Sequence, residues 1–102
     1  MMPKHESISS DRMILSEKYV SSLLLFLFNN EDEDVHTVDL KGISSYYQAI
    51  VKKAEELRDI GLIHIEEQSK PFYKKTFRLT DDGERVAEKL NEAESILREI
   101  LG

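Results

Sequence analysis

The strongest constraint on the fold is a run of apolar residues, spaced three and four apart, that ends at Gly61. This spacing gives a helix one apolar face, and its members are Tyr47, Ile50, Val51, Ala54, Leu57 and Ile60. Gly61 can adopt the left-handed conformation that ends a helix. Ser45 and Gln48 have the spacing of a capping box, in which each side chain bonds a free backbone amide. The sequence therefore predicts a helix that starts near Tyr46 and stops at Gly61.

Two strand-like segments follow this helix directly. LIHIEE begins at Leu62 and FYKKTFRL begins at Phe72, and the QSKP between them contains the turn-forming Pro71. Alternation along the two segments predicts a β-hairpin with one inward face and one solvated face. The inward residues are Ile63, Ile65, Phe77 and Leu79, and the solvated residues are His64, Glu66 and Arg78.

Three further segments complete the predicted order. A first helix, with Ser16 as its N-cap, is apolar on nearly all sides in its second half. Residues 35–38 form a short strand-like segment, and a brief helix follows at 39–43. Thr80 or Asp81 caps a last helix at 81–101. The length fits one domain, residues 16–102, after an N-terminal tail at 1–15.

Composition limits the functional class. With 33% charged and 40% hydrophobic residues the chain is typical of soluble globular proteins. The longest apolar run, from Leu23 to Phe28, is six residues, whereas a membrane span needs about 20. There is no cysteine, and the N-terminus lacks the apolar stretch of a secretory signal. We therefore expect a cytoplasmic protein without a membrane partner.

The sequence gives little support for catalysis or a cofactor. His5, His36 and His64 lie far apart, with no i, i+4 pairing and no cysteine beside them, so no metal site is expected. No glycine-rich phosphate loop is present, and the acidic runs EDED and DD lack the alternating ligand positions of a calcium loop. We expect a protein that is not an enzyme and needs no cofactor.

Charge is unevenly distributed along the chain, which has a formal net charge of −6. Residues 38–80 carry eight Lys and Arg against six Asp and Glu, whereas residues 1–37 and 81–102 each carry three against seven. Lys70, Lys74, Lys75 and Arg78 lie within nine positions, interleaved with aromatic residues. A polyanionic partner would therefore bind the middle of the chain.

Two local motifs, together with the order of the elements, resemble the winged helix-turn-helix domain of prokaryotic transcription regulators, most closely the MarR and PadR families. AEELRDIGLIHIEE, residues 54–67, is similar to the end of the recognition helix running into the first wing strand. FRLTDDGERVAEKL, residues 77–90, is similar to the second wing strand and the Leu-Thr-x-x-Gly start of the next helix. The resemblance runs from about Ser16 onward. It implies an α+β, mainly α, winged helix-turn-helix fold with a β-hairpin wing and a long C-terminal helix.

The resemblance also implies that the helix before the hairpin enters the DNA major groove and that the hairpin contacts phosphates. The predicted DNA-binding residues are Ser44, Ser45, Tyr46, Gln48, Lys52, Lys53, Lys70, Tyr73, Lys74 and Lys75. Gln48 can pair with adenine, but it could equally be engaged in the capping box. The alternative for the lysines is ion pairing with glutamates of the same helix or hairpin. Of the adjacent tyrosines, Tyr47 is expected to face the core and Tyr46 to face outward.

The last helix is longer than a domain of this size needs to cover itself, since about 20 residues span about 30 Å. Its heptad spacing and the apolar breadth of the first helix predict a homodimer, which would place two recognition helices on one face of the DNA. The predicted dimerisation residues are Leu24, Phe28, Val86, Leu90, Ala93, Leu97 and Ile100. A small-molecule effector, of unknown identity, could bind between the first and last helices.

Together these features predict a sequence-specific regulator that binds double-stranded DNA. The alternative is a winged-helix protein-interaction module without DNA binding, because a net charge of −6 is unusual for a phosphate binder.

Overall fold

A computed structural model describes residues 13–102. Within this range the elements are α1 (Val20–Asn29), β1 (Val35–His36), α2 (Tyr47–Asp59), β2 (Ile63–Gln68), β3 (Lys74–Leu79) and α3 (Asp81–Leu101). A short 3-10 helix at Ile14–Ser16 precedes α1, and another at Thr37–Gly42 connects β1 to α2. The predicted α+β, mainly helical architecture is confirmed.

The three strands form one antiparallel sheet in the order β1-β3-β2. Ile63 pairs with Leu79 and Ile65 with Phe77, so the inward face predicted for the hairpin is confirmed. On the other face His64 pairs with Arg78, and both are exposed. The two residues of β1 pair with the other edge of β3. Phe77 therefore lies on the central strand and is 1% exposed.

The hydrophobic core collects residues from every helix and strand. Its buried members are Val20, Leu23, Leu24, Leu27, Val35, Leu40, Ile50, Ala54, Leu57, Ile63, Phe77 and Ala87. Four of them come from the ten residues of α1, so this helix is central to the core. Because burial of apolar surface is the main stabilising term in folding, α1 is the element around which α2, the sheet and α3 assemble.

The start of the first helix differs from the prediction. Ser16 lies in the 3-10 helix and caps nothing, and α1 begins only at Val20. Tyr19, between the two helices, has a left-handed backbone with φ of 72°, which interrupts helical geometry. Ser21 Oγ donates to Leu15 O at 3.0 Å and ties the 3-10 helix to α1. The last residues of the predicted tail are therefore bound to the domain, and residues 1–12 of that tail lie outside the described residues.

The start of α2 also differs in detail. Tyr46 is the N-cap residue and makes no side-chain capping bond, so Ser45 lies one position too early for the predicted capping box with Gln48. Instead Ser44 Oγ accepts a hydrogen bond from Tyr46 N at 3.1 Å. At the other end Gly61 has the expected left-handed φ of 88°. Ile60, predicted to face the core, is 54% exposed because the helix has already ended at Asp59.

Between α1 and α2, the strand is shorter and the following short helix is longer than the sequence predicted. Only Val35 and His36 pair with β3, whereas Thr37 and Val38 already belong to the 3-10 helix that ends at Gly42. Asp39 Oδ2 accepts from the His36 amide at 2.9 Å, which stabilises the first turn of this helix.

The junction of α2, the sheet and α3 is held by Thr80. Its hydroxyl donates to Gly61 O at 2.6 Å and accepts from Gly83 N at 3.0 Å, while its amide donates to Leu62 O at 3.1 Å. The side chain thus caps α3, as predicted, and bonds the end of α2 at the same time. Gly83 lies so close to Leu62 that an added Cβ would be 1.9 Å from the Leu62 carbonyl oxygen.

We expect Gly83→Ala to destabilise the fold by about 3 kcal/mol or more, because the clash is with backbone and cannot be relieved by a side-chain rotation. Gly61→Ala is the matched control. There the cost is only that of a left-handed alanine, about 1 kcal/mol, since nothing lies within 4 Å of the added methyl. Urea unfolding followed by circular dichroism measures both values. Equal losses in the two variants would contradict the close approach of α3 to Leu62.

Candidate nucleic-acid interface

The exposed face of α2 is polar and carries one cation at its centre. At about 100° per residue, Gln48 and Lys52 lie opposite the buried Ile50, Ala54 and Leu57. The side chains of Gln48 and Lys52 are both exposed to solvent. Because the capping box does not form, the Gln48 amide is not engaged at the helix start. This face therefore presents a free amide and an ammonium group to solvent.

The start of α2 adds a tyrosine and two serines to this face. Tyr46 is 71% exposed and Tyr47 packs against the core, so the expected orientation of the pair is confirmed. The Tyr47 ring lies 5.1 Å from Lys41 Nζ, in a cation–π contact. Ser45 is exposed, whereas Ser44 is half-buried.

Lys53 lies on a flank of α2, about 100° around the helix from Lys52. Its Nζ is 2.8 Å from Glu17 Oε1 and 2.8 Å from Glu56 Oε1, and its side chain is only 17% exposed. Hydrogen bonds to Glu17 and Glu56 raise the pKa of Lys53. For Lys53 the structure shows the ion-pair alternative, with Glu56 of the same helix, and adds a second pair with Glu17, which lies before α1.

The hairpin tip is the most exposed part of the sheet. Lys70, Pro71, Phe72, Tyr73 and Lys74 are all exposed, and Phe72 is 72% exposed. Gln68 Nε2 donates to Lys70 O and closes the turn on one side. Phe72 was not among the predicted DNA-binding residues, although its position between lysines in the sequence was a usable signal.

Below the tip, Lys75 connects the hairpin to α2. Its Nζ is 3.2 Å from Glu55 Oε2 on α2 and 3.6 Å from Glu67 Oε1 on β2, and its side chain is 13% exposed. Tyr73 Oη donates to the same Glu67 Oε1 at 3.1 Å, and this hydrogen bond raises the pKa of the phenol. These four side chains form what we call the wing clamp. Lys75 thus makes the ion pair within the hairpin that was the alternative to phosphate contact, and a further pair with Glu55 on α2.

Three lysines stand apart from the other cations that the structure describes. Among residues 13–102, Lys and Arg side chains pair with carboxylates at seven positions, which are Lys53, Arg58, Lys75, Arg78, Arg85, Lys89 and Arg98. Lys18 and Lys41 contact tyrosine rings. Within the same range, Lys52, Lys70 and Lys74 therefore contact neither a carboxylate nor an aromatic ring. One lies on the outward face of α2 and two flank the hairpin tip.

The two acidic flanks of the sequence meet at another place. Glu31, in the loop after α1, lies beside Glu84 in the first turn of α3, and the pKa of Glu31 is raised because its protonated form can hydrogen-bond the Glu84 carboxylate. Asp81 and Asp82 lie in the same turn of α3. Part of the negative charge is therefore gathered where α1 ends and α3 begins, which is neither the outward face of α2 nor the hairpin tip.

The predicted dimerisation residues divide into three groups. Leu24 is fully buried in the core and presents no surface to a second chain in this conformation. Phe28, Val86 and Leu90 are half-buried against the core. Ala93, Leu97 and Ile100 are exposed, and they continue into an apolar end of α3 that also contains Ile96 and Leu101.

An open groove of about 950 Å³ runs along the first half of α3. Its apolar lining comes from α3, from Leu62 and from the 3-10 helix before α1, through Leu15, Val86, Leu90 and Ala93. Ala93 belongs both to this groove and to the exposed stripe, so the two apolar surfaces are continuous.

Comparisons with solved structures identify the architecture. AF1382 from Archaeoglobus fulgidus superposes with a TM-score of 0.64 and 16% identity, over 79% of this chain and 89% of that one. A point mutant of MepR from a multidrug-resistant S. aureus clinical isolate superposes with a TM-score of 0.59 and 14% identity. That match covers 79% of this chain and 59% of MepR. The chain has a winged-helix fold.

In the nomenclature of the winged-helix fold, α2 occupies the position called the recognition helix and the hairpin β2–β3 the position called the wing, and we use both words for these positions. The predicted fold, including the β-hairpin wing and the long C-terminal helix, is confirmed. No protein-family model and no curated protein matches the sequence.

No helix in residues 13–102 is both long enough and apolar enough to cross a membrane. In the same range no three His, Asp or Glu side chains come together in a way that could hold a metal ion. His5 lies outside the described residues.

We expect the wing clamp to contribute a measurable coupling between the recognition helix and the wing. In a double-mutant cycle of Lys75→Met and Glu55→Gln, the coupling free energy should be about 0.5–1 kcal/mol, since both groups are only partly exposed. Arg85→Met with Asp82→Asn is the control, because that pair is well solvated on α3 and should couple by only a few tenths of a kcal/mol. Additive losses for Lys75 and Glu55 in urea unfolding would show that the clamp does not form in solution.

Proposed function

We propose that the chain is a transcription regulator that binds double-stranded DNA through α2 and the wing. The observation that carries the proposal is the position of Lys52, Lys70 and Lys74. These three cations have no carboxylate or aromatic partner within residues 13–102, and all lie on the recognition helix or the wing tip. Because unpaired ammonium groups keep their full attraction for phosphate, they supply the sequence-independent part of DNA binding.

In this proposal the N-terminal half of α2 contacts the bases, because this part of a recognition helix lies against base edges in the major groove. Gln48 faces solvent and is not engaged in a helix cap, so it can bond adenine with both its donor and its acceptor. Ser45 and Tyr46 lie at the helix start, where their hydroxyl groups suit phosphates or base edges. The similarity of the fold to MepR, a MarR-family regulator, supports this arrangement.

Lys53 and Lys75 have a different role in this proposal. Each is bound by two carboxylates and is largely buried, so moving either ammonium group to a phosphate would leave glutamates unpaired beside the DNA. We assign them to holding α2 against its neighbours. The phosphate contacts are therefore fewer than the number of lysines in the sequence.

We further propose that the regulator is a homodimer formed through α3. The exposed end of this helix carries Ile96, Leu97, Ile100 and Leu101, which are all more than half exposed. A contiguous apolar surface of this kind marks an interaction site. A second copy is the occupant that fits best, because the stripe runs on into the apolar groove through Ala93 and a two-fold axis lets each α3 cover the other.

We expect the DNA affinity to fall steeply with salt, and the slope to depend on the unpaired lysines. Removing each phosphate contact lowers the slope of log affinity against log salt by about 0.9. Lys52→Gln with Lys74→Gln should therefore reduce the slope by about 2. Fluorescence anisotropy on mixed genomic duplex fragments at several salt concentrations measures it.

Lys89→Gln is the matched control for the single variant Lys52→Gln, because each removes one positive charge and Lys89 lies at an exposed position on α3. It should leave the slope unchanged. If the wild-type chain does not bind duplex DNA even at low salt, or if Lys89→Gln has the same effect as Lys52→Gln, the proposed DNA interface is wrong.

We expect Leu97→Glu with Ile100→Glu to convert a dimer into a monomer, because the two charges would be buried in the α3 interface. Both positions are exposed in the single chain, so the fold should tolerate the change. Ser95→Glu is the control, since Ser95 lies on the opposite side of α3 from the stripe. Sedimentation equilibrium reports the mass, and a wild-type monomer would contradict the homodimer.

The exposed end of α3 also favours a second candidate, a winged-helix module that binds another protein. The same apolar stripe would then take a partner helix, and the acidic flanks would face a basic partner. A monomeric wild-type chain with no salt-dependent DNA affinity, which co-purifies with a different protein through α3, would favour this function over the regulator.

A further inference from the structure

The wing ends in an apolar tip between two cations. Pro71 and Phe72 are exposed at the turn, with Lys70 before them and Lys74 two positions after Phe72. The Phe72 side chain is 72% exposed, and it differs from the exposed apolar residues of α3 in being flanked by two cations. Neither lysine pairs with a carboxylate among residues 13–102.

The neighbours of this tip are held in place. Tyr73 is tied through its hydroxyl to Glu67, and Lys75 joins that carboxylate to Glu55 on α2. The apolar end therefore projects from a hairpin whose base is fixed to the recognition helix. A group that is positioned in advance loses less conformational entropy when it binds.

The two lysines at the tip require a partner that supplies negative charge as well as apolar surface. An apolar protein surface would cover Phe72 but would leave two ammonium groups at its rim with no counter-charge. A DNA minor groove can provide both parts, because phosphates line its edges and the apolar base faces become accessible where a base step is partly unstacked. A ring that meets bases while flanking cations meet the backbone is a recurrent arrangement in nucleic-acid binding.

We propose that Phe72, backed by Pro71, is a wedge that enters the minor groove, partly unstacks a base step and bends the duplex. Lys70 and Lys74 bind the phosphates on either side of the insertion. Phenylalanine and proline are among the side chains that act in this way in minor-groove proteins. The inference rests on the proposed DNA-binding function and adds to it a change in DNA shape.

The experiment measures ring closure of random-sequence duplexes of about 100 base pairs, which are shorter than the persistence length of about 150 base pairs and circularise slowly on their own. Wild-type protein should accelerate ligase-dependent circularisation. Phe72→Ala should abolish the acceleration and lower the affinity roughly tenfold. It should leave the salt slope unchanged, because no cation has been removed.

Two further variants complete the design. Phe72→Leu keeps an apolar wedge and should retain most of the acceleration. Ile60→Ala removes another exposed apolar side chain, at the far end of α2, and should behave as wild type.

The outcomes separate the wedge from the proposed function. Wild-type binding with a steep salt slope but no accelerated circularisation overturns the wedge and leaves the regulator intact. The wedge is also overturned if Phe72→Ala accelerates circularisation as well as wild type does. It is likewise overturned if the only effect of Phe72→Ala is a change in the oligomeric mass measured by sedimentation. Absence of any DNA binding by the wild type overturns both.

Discussion

The three hydrogen bonds of Thr80 fix the arrangement on which the rest of the structure depends. They join the end of α2, the start of β2 and the first turn of α3 at a point where Gly83 leaves no room for a side chain. If α3 could not approach Leu62 this closely, the angle between the recognition helix and the wing would change. A single threonine and a single glycine therefore set both the core packing and the shape of the candidate interface.

Electrostatics inside the domain reduces the number of cations that can bind phosphate. Most Lys and Arg side chains of residues 13–102 have carboxylate partners, so a net charge of −6 coexists with a small positive region. Net charge describes solubility and long-range steering, whereas a contact depends on which individual charges are unpaired. The two descriptions therefore do not conflict in this chain.

The sequence predicted α2, the hairpin and the cap of α3 because each depends on local patterns. A three-and-four spacing, strict alternation and a threonine before an acidic turn act within a few residues of one another. Local patterns failed at two helix starts, where neither the Ser16 cap nor the capping box of Ser45 and Gln48 forms, and contacts between distant residues left no local pattern at all. Lys53 bonds Glu17, 36 positions away, and Lys75 bonds Glu55, 20 positions away. Their near partners, Glu56 and Glu67, belong to the predicted ion-pair alternative, whereas Glu17 and Glu55 come within reach only in the folded chain.

The two-residue length of β1 has a consequence for self-association. The central strand, β3, has both of its edges covered, and β1 is too short to template a further strand. The long open edge is β2, where Glu66 and Glu67 place charged side chains on the two opposite faces of the strand. Charged side chains on an edge strand disfavour pairing with a further strand, so this edge is a poor template for adding a second copy.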